Sequence, residues 1–309
     1  MLNHLPPPPP GKTGWPWTEE SDPFPSFQPE GSHWPRISIV TPSFNQGHFI
    51  EETIRSVLLQ NYPNLEYILI DGGSTDNTPE IIEKYKKQIT YCTSEPDNGQ
   101  SHAINKGFFK CTGDYVNWIC SDDILCKNAL NNISSFLITK EKILLLGGGF
   151  RIDQNSKVID SINSSEIDSV DKLIDIRKFW RNRNSILQQS CLFPVASVKE
   201  IGLLNENNHY TMDYELWGKL MINGISVAQT NIPIGMYRWY AGQKTSRQRQ
   251  VTESLIRTAQ KLILSNPETG SLRKVNQLIK IRQYNIFYNY SQFRSFIGFK
   301  RRFKMLFHG

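Results

Sequence analysis

The chain of 309 residues has no hydrophobic run long enough to cross a bilayer, which takes roughly 18 to 20 residues. Its apolar runs are short, as at residues 143–149. A basic-then-apolar leader is also missing, because prolines follow the first five residues at once. These absences argue against a secreted or membrane-spanning protein and predict a cytoplasmic one.

Metal-binding patterns of cysteine and histidine are missing too. The five cysteines, an odd number, include no Cys-x-x-Cys pair. The six histidines form neither His-x-x-x-His nor His-Glu-x-x-His. We therefore expect reduced thiols inside an intracellular protein, and we do not expect a zinc enzyme.

Basic residues are scarce outside the carboxyl-terminal region. Residues 241–309 contain 14 Lys or Arg and two acidic residues, whereas residues 1–240 contain 21 basic and 27 acidic residues. A nucleic-acid groove needs clustered Lys and Arg, so we expect no nucleic-acid partner for the body. Apolar and basic side chains alternate over residues 275–307. This pattern predicts either peripheral contact with an anionic membrane or a terminal helix packed on the body or in a dimer.

The composition divides the chain into three regions. Residues 1–35 contain the proline run 6–10 and several aromatic side chains. Proline fixes φ and removes a hydrogen-bond donor, so we predict an extended arm whose aromatic side chains lie against the body; the alternative is an arm that recognises a partner. Residues 36–245 alternate strand and helix patterns, and residues 246–309 are predicted to be mostly helical and basic.

Strands and helices alternate within the central region. The apolar run Ile37–Val40 predicts a strand, and the spacing of Ile50, Ile54 and Val57 predicts one face of a helix. Such alternation implies a mostly parallel sheet with helices on both faces. We predict strands at residues 37–40, 65–70, 89–93, 114–120 and 190–193, helices at 50–58, 79–85, 103–109, 170–180 and 212–222, and a hairpin within 142–162.

Polar segments follow three of these strands. They are Thr41–Gln46, Asp71–Asp76 and Ser121–Asp123. Each has an ordinary explanation by itself, because proline and glycine form turns and Asp or Ser caps a following helix. An open α/β sheet, however, binds its ligand at the carboxyl ends of the strands, where all three segments lie. Together they predict a ligand site at that edge.

The amino-acid sequences of these segments resemble those of a known family. The stretches I-S-I-V-T-P-S-F-N-Q, L-I-D-G-G-S-T-D-N-T, S-E-P-D-N-G-Q-S-H-A-I-N-K-G and G-D-Y-V-N-W-I-C-S-D-D all fall between residues 37 and 123. They resemble the nucleotide-sugar-binding half of the family 2 glycosyltransferases, which are inverting enzymes with the GT-A fold. The resemblance resumes at Q-Q-S-C-L-F and M-D-Y-E-L-W-G-K-L. It implies a donor half at residues 36–123 and an acceptor-side half at 124–245 of one Rossmann-like domain.

The resemblance assigns a donor site. Pro42 and Phe44 would line the base, and Asp71 would accept a hydrogen bond from the uracil imide. A carboxylate accepts where uracil donates, which favours a uridine donor. Gln100 and Asn105 would border the uridine and the diphosphate.

The resemblance also assigns the metal and the base. Asp122 would meet the ribose and Asp123 would hold Mg²⁺ or Mn²⁺; in place of a histidine that many members carry, Arg238 and Lys244 would supply positive charge to the diphosphate. Neighbouring carboxylates and a diphosphate repel each other unless a cation bridges them, and both metals accept such oxygen ligands. Asp213 would be the general base, although capping of its helix is the alternative role.

Two positions depart from the family pattern. Tyr240 stands where many members carry a metal-binding histidine, which leaves the metal open. Gly235 replaces the glutamine of the processive synthase signature, so we do not expect a synthase that extrudes its polymer.

The expected function is inverting, metal-assisted transfer of a sugar from a UDP-sugar to a glycan or lipid-linked acceptor in polysaccharide or glycoconjugate synthesis. One alternative is a nucleotide-sugar-binding partner subunit without turnover. The other is a sugar-1-phosphate nucleotidyltransferase, which needs a Gly-rich, Arg-containing loop after its first strand. Residues 41–47 lack such a loop. The transferred sugar and the acceptor stay open, because pocket shape decides them.

Overall fold

A computed structural model describes residues 1–138, 141–176 and 186–288. Its strands are β1 Ile37–Ser43, β2 Leu65–Asp71, β3 Tyr91–Ser94, β4 Tyr115–Trp118, β5 Ile124–Leu125, β6 Ile143–Ile152, β7 Val158–Ile162, β8 Cys191–Pro194 and β9 Ser226–Arg238. Its helices are α1 Ile50–Leu58, α2 Thr78–Tyr85, α3 Gln100–Lys110, α4 Ala129–Leu137, α5 Val170–Leu173, α6 Val195–Glu200, α7 Met212–Ile222 and α8 Gln248–Ser265. Residues 271–288 are also helical.

The described strands form one mixed sheet in the order β3-β2-β1-β4-β8-β6-β9-β5, with β7 beside β6. The first four strands of this order are mutually parallel, and Ser43 lies opposite Asp71 in the register of β1 and β2. Because parallel strands end at a common edge, the polar segments after β1, β2 and β4 meet there. β8 pairs antiparallel with β4 and joins the two halves into one sheet.

The apolar strands are continuous because helices cover both faces. Side chains alternate across β1, so Ile39 packs on one face and Val40 on the other. Helices α1, α2 and α4 cover the Ile39 face, and α3, α7 and α8 cover the Val40 face. The core therefore has two layers, one on each side of the sheet.

Most predicted elements are confirmed. The β6–β7 hairpin lies within residues 142–162, and α7 spans the predicted 212–222. Part of the helix predicted at 170–180 lies outside the described residues, and α5 forms its beginning. The sequence patterns did not predict the helices α4 and α6, the short strand β5 or the long strand β9.

The proline-rich arm lies against the body, as predicted. The Arg55 side chain is fully buried and donates hydrogen bonds to the backbone oxygens of Pro6, Pro16 and Trp17. Trp15 Nε1 also donates to the Leu125 backbone oxygen at 2.9 Å. Backbone carbonyls of the arm thus satisfy a buried cation of α1.

The helical residues 271–288 rest on the body through side chains such as Ile281, which is 3% exposed. Within the described ranges, no helix is both long and apolar enough to span a membrane. The rest of the basic segment predicted to reach residue 307 lies outside them.

Candidate active site

The loop after β2 is held by Asp71. This fully buried carboxylate accepts hydrogen bonds from the Ser74 backbone N–H at 3.0 Å, from Ser74 Oγ at 2.5 Å and from Ser94 Oγ at 2.5 Å. Gly73 has a φ of +82°, and a Cβ there would lie 3.1 Å from the Pro96 nitrogen. Asp71 therefore fastens its own loop, and the predicted uracil contact would use its remaining acceptor capacity.

The loop after β1 presents an exposed aromatic ring. The Phe44 side chain is 59% exposed, whereas the predicted neighbour Pro42 is buried within β1. Asn45 Oδ1 accepts a hydrogen bond from the Thr75 backbone at 2.8 Å, which ties the loops after β1 and β2 together. Phe44 thus offers a stacking surface beside the Asp71 loop.

The two carboxylates after β4 differ in their surroundings. Asp123 is 2% exposed, and its two oxygens accept hydrogen bonds from the Arg238 backbone N–H at 2.8 Å and from Gln189 Nε2 at 2.5 Å. Asp122 is partly exposed and accepts one side-chain hydrogen bond, from the Tyr240 hydroxyl at 3.0 Å. Asp122 is therefore the more accessible of the two carboxylates, and we propose it as the main cation contact in place of the predicted Asp123.

The chemistry of this cluster suits a divalent cation. Ligand atoms of Cys120, Asp122 and Asp123 lie within 4.8 Å of one another. Burial raises the pKa of Asp122, and burial followed by the charge of Asp122 raises the pKa of Asp123. A cation offsets both causes, because it replaces lost hydration and neutralises the repulsion. Asp122 would hold such an ion, with Asp123 behind it.

Arg238 supports the carboxylate loop, which carries Asp122 and Asp123. Its fully buried guanidinium donates through Nε to the Asp122 backbone oxygen at 2.6 Å and through Nη2 to Glu52 Oε2 at 2.8 Å. The guanidinium also lies 4.7 Å from the Phe49 ring centroid. The predicted contact between Arg238 and a diphosphate is thus corrected, because its charge is paired with Glu52 inside the protein.

Two residues that support the carboxylate loop were not predicted from the sequence. Thr53 Oγ1 donates to the backbone oxygens of Ser121 and Asp123, at 3.0 and 2.7 Å. Glu52, one position earlier on α1, is 6% exposed. The sequence does show the acidic residue Glu52 next to the apolar positions of α1. Because buried charges are paired, this placement was a signal that Glu52 has a charged partner inside the protein.

Gln100 and Asn105 occupy different sides of α3. Gln100 Nε2 donates to Cys120 Sγ at 3.2 Å, which places it at the carboxylate cluster. Asn105 lies five residues later, about 140° around the helix, where its amide bonds to the Leu204 backbone and to Glu206. Asn105 is therefore corrected to a residue that holds the loop around Leu204, and Gln100 stays in the candidate site.

Asp213 lies in the first turn of α7 and is partly exposed. The N-cap position of the helix is Thr211, which makes no side-chain capping hydrogen bond, so Asp213 is not the N-cap residue. Asp213 Oδ1 accepts the Tyr214 backbone N–H at 2.8 Å, and burial raises the pKa of the carboxyl group. The charge of Lys244 lowers the pKa of Asp213 in turn, and Lys244 is joined through Gln100 to Cys120 of the carboxylate cluster.

Comparisons with known proteins point to one family. The family model described as Glycosyl transferase family 2 matches residues 38–198. An uncharacterized glycosyltransferase of Rickettsia typhi is 33% identical over 195 residues, which cover 62% of this chain and 60% of the relative. The chain spans from one third to three fifths of the length of three such Rickettsia relatives. The putative teichuronic acid biosynthesis glycosyltransferase TuaG of Bacillus subtilis is 28% identical over 230 residues, with coverages of 69% and 87%.

Solved structures show the same fold. S. aureus TarS 1–349 in complex with UDP matches with a TM-score of 0.60 and 19% identity, covering 80% of this chain and 70% of that one. Mannosyltransferase PcManGT from Pyrobaculum calidifontis, in complex with GDP-Man and Mn²⁺, matches with a TM-score of 0.58 and 14% identity, covering 86% and 77%. These likenesses confirm the predicted GT-A fold.

Proposed function

The chain belongs to glycosyl transferase family 2, and from that premise we propose that it transfers a sugar from a nucleotide-sugar to a hydroxyl group of an acceptor, with inversion at the anomeric carbon. One observation supports the proposal. At the carboxyl edge of the sheet, Gln100 joins Lys244 to Cys120 beside the Asp122–Asp123 pair, and the charge of Lys244 also acts on Asp213, which comes from a distant part of the chain. Such an arrangement combines a cation site with a candidate base.

The proposed donor is a UDP-sugar. Support comes from the acceptor character of Asp71 at the end of β2, from the exposed Phe44 ring and from the likeness to TarS with UDP. The likeness to a GDP-Man complex keeps guanosine donors as a comparison in any test.

The proposed mechanism is one in-line displacement. Asp213 Oδ2, the oxygen that does not bond to the Tyr214 backbone, takes the proton of the acceptor hydroxyl. The acceptor oxygen forms a bond to the anomeric carbon while the bond to the diphosphate breaks, and the electron pair leaves with the nucleoside diphosphate. When bound at Asp122, Mg²⁺ or Mn²⁺ neutralises the negative charge of the leaving group. Lys244, which donates to Gln100 Oε1 at 3.0 Å, adds positive charge at the cleft.

The proposed setting is polysaccharide synthesis on the cytoplasmic face of a membrane, with a glycan or lipid-linked acceptor. The name of the TuaG relative supports the first part. The membrane location is supported by the helical residues 271–288. Four apolar side chains along one face of this helix are 48–84% exposed, namely Leu272, Val275, Ile279 and Ile286. Residues 271–309 contain nine Lys or Arg and no acidic residue, which favours an anionic surface.

The alternative is a subunit that binds a nucleotide-sugar without turnover. The observation that favours it is the Tyr240 hydroxyl, which bonds to the carboxylate that would hold the cation. An assay of UDP release distinguishes transfer from binding without turnover. It uses a panel of UDP-sugars, with GDP-mannose for comparison, in the presence of Mn²⁺ or Co²⁺. Metal-dependent UDP release, faster with an acceptor extract, supports transfer. UDP binding without release from any donor, with and without acceptors, contradicts it.

A further inference from the structure

A thiol stands among the oxygen ligands of the proposed cation site. Cys120 Sγ belongs to the group of ligand atoms within 4.8 Å of one another, together with the carboxylates of Asp122 and Asp123. We propose that Cys120 is a sulfur ligand of the cation held by Asp122, so that the donor site selects thiophilic cations such as Zn²⁺ and Co²⁺ over Mg²⁺. The inference rests on the proposed function, because the same cation would meet the donor diphosphate.

The spacing of the ligand atoms fits one shared cation. A thiophilic ion lies about 2.3 Å from sulfur and about 2.1 Å from carboxylate oxygen, so it joins atoms up to about 4.4 Å apart. Cys120 and Asp122 are both partly exposed, and their ligand atoms, with those of Asp123, lie no more than 4.8 Å apart, which is close to that range. The neighbouring Asp123 is anchored by Gln189 and Arg238, as carboxylates at metal sites commonly are.

A hydrogen-bonded pair aims a donor at the sulfur. Lys244 Nζ can only donate, and it lies 3.0 Å from Gln100 Oε1. This contact fixes the orientation of the Gln100 amide, so its NH₂ group faces Cys120 Sγ at 3.2 Å. The sulfur therefore accepts a hydrogen bond beside the carboxylates, and the form of cysteine that binds metal is the thiolate. On binding, the cation replaces the thiol proton, and the proton is released to solvent.

Sulfur changes the metal preference of an otherwise oxygen-based site. Mg²⁺ requires near-ideal octahedral oxygen coordination and loses its water reluctantly. Thiolate ligands instead favour zinc and similar ions. The family resemblance predicted Mg²⁺ or Mn²⁺, and Cys120 narrows the choice against Mg²⁺.

The test is a titration of the full chain with Co²⁺ in the presence of UDP, followed by absorbance and by calorimetry. A sulfur ligand gives a thiolate-to-cobalt charge-transfer band. We expect this band in the wild type and in the control Cys92→Ser, whose thiol is also partly exposed but lies on β3. We expect Cys120→Ser and Cys120→Asp to lose it. Zn²⁺ should displace Co²⁺ at lower concentration than Mg²⁺ does, and Cys120→Asp should reduce that preference by about tenfold or more.

Two results would overturn the inference, and they have different consequences. Binding of Co²⁺ with UDP that shows no charge-transfer band, or a band that Cys120→Ser retains, removes the sulfur ligand and leaves the proposed function intact. Absence of both UDP and Co²⁺ binding in the wild type overturns the proposed function together with the inference.

Discussion

Two adjacent carboxylates after β4 have the same chemistry and different surroundings. The sequence identified both Asp122 and Asp123 as site residues, because they follow a strand within a family-like segment. It did not show which one is accessible. That difference comes from Gln189 and from the Arg238 backbone, which lie 66 and 115 residues from Asp123 in the chain. Spacing within a motif carries no information about such partners.

Replacement of Asp213 by Asn is expected to abolish transfer and keep nucleotide binding. Asn has nearly the same shape but cannot take the acceptor proton, so the turnover rate should fall by roughly 10² to 10⁴. The dissociation constant for UDP should change little. The matched control is Glu253→Gln, which removes a carboxylate on the surface of α8. Near-normal turnover in Asp213→Asn would exclude Asp213 as the base.

Replacement of Asp122 by Asn is expected to stabilise the metal-free protein at neutral pH. Burial raises the pKa of Asp122 above its ordinary 3.8, so the folded protein binds this proton more tightly than the unfolded chain does. The contribution of the group to stability therefore falls as pH rises from about 3.8 through the raised pKa. Removing the charge should add on the order of 1 kcal/mol to the free energy of unfolding at pH 7, which raises the melting temperature by about 2 °C. This gain should vanish toward acidic pH.

The control variant, Asp168→Asn, is expected to change stability in the opposite direction. A hydrogen bond from Lys172 lowers the pKa of Asp168, so Asp168→Asn should lose a little stability at neutral pH. Thermal melts across pH compare the two variants. A melting temperature for Asp122→Asn below that of the wild type at pH 7, or a difference that does not change with pH, would contradict the assignment.

At the scale of elements, helix α1 and strand β9 hold the carboxylate loop between them. Glu52 and Thr53 reach it from α1, and Arg238 reaches it from β9. The parallel part of the sheet was predictable because strands β1, β2 and β4 are rich in apolar residues and are buried over nearly their whole length. Strand β9 was not, because its side chains are partly exposed over most of its length and its pairing with β6 depends on distant contacts.

Substitution Glu52→Gln should loosen this support. Breaking one partner of a buried ion pair costs roughly 3 to 5 kcal/mol, and both Glu52 and Arg238 are buried. We expect urea unfolding at lower denaturant concentration and weaker metal-dependent UDP binding. Glu51→Gln is the control, because Glu51 accepts from the Tyr85 hydroxyl outside the loop support. Equal stability of the two variants would show that the ion pair does not support the site.

The exposed apolar face of residues 271–288 predicts membrane contact. Sedimentation with phosphatidylglycerol vesicles should carry the wild type down, and neutral phosphatidylcholine vesicles should not. Ile279→Gln with Ile286→Gln should weaken binding by about tenfold or more, because each removes buried apolar area from the interface. Leu264→Gln on α8, 62% exposed, is the control. Equal binding by the double variant, or dimerisation that it abolishes, would favour a protein interface instead.

At the scale of the whole molecule, the edge of one sheet gathers residues that lie far apart in the chain. The resemblance predicted the GT-A fold, and local patterns predicted most strands and helices up to α7. The burial of Arg238 and the hydrogen bonds of Asn105 could not be predicted from the sequence, because both depend on how the second half packs on the first. Asn105 bonds to residues 99 to 101 positions later, so local sequence around it could not indicate its role.

The most direct test of the account is calorimetric titration of the purified chain with UDP, with and without Mn²⁺ or Co²⁺, beside Asp122→Asn. We expect UDP binding that requires the cation, weaker binding of GDP and dTDP, and loss of cation-dependent binding in the variant although it is folded and more heat-stable. UDP binding that is the same without a cation and in Asp122→Asn would contradict the cation site. No binding of any nucleotide would contradict the donor site itself.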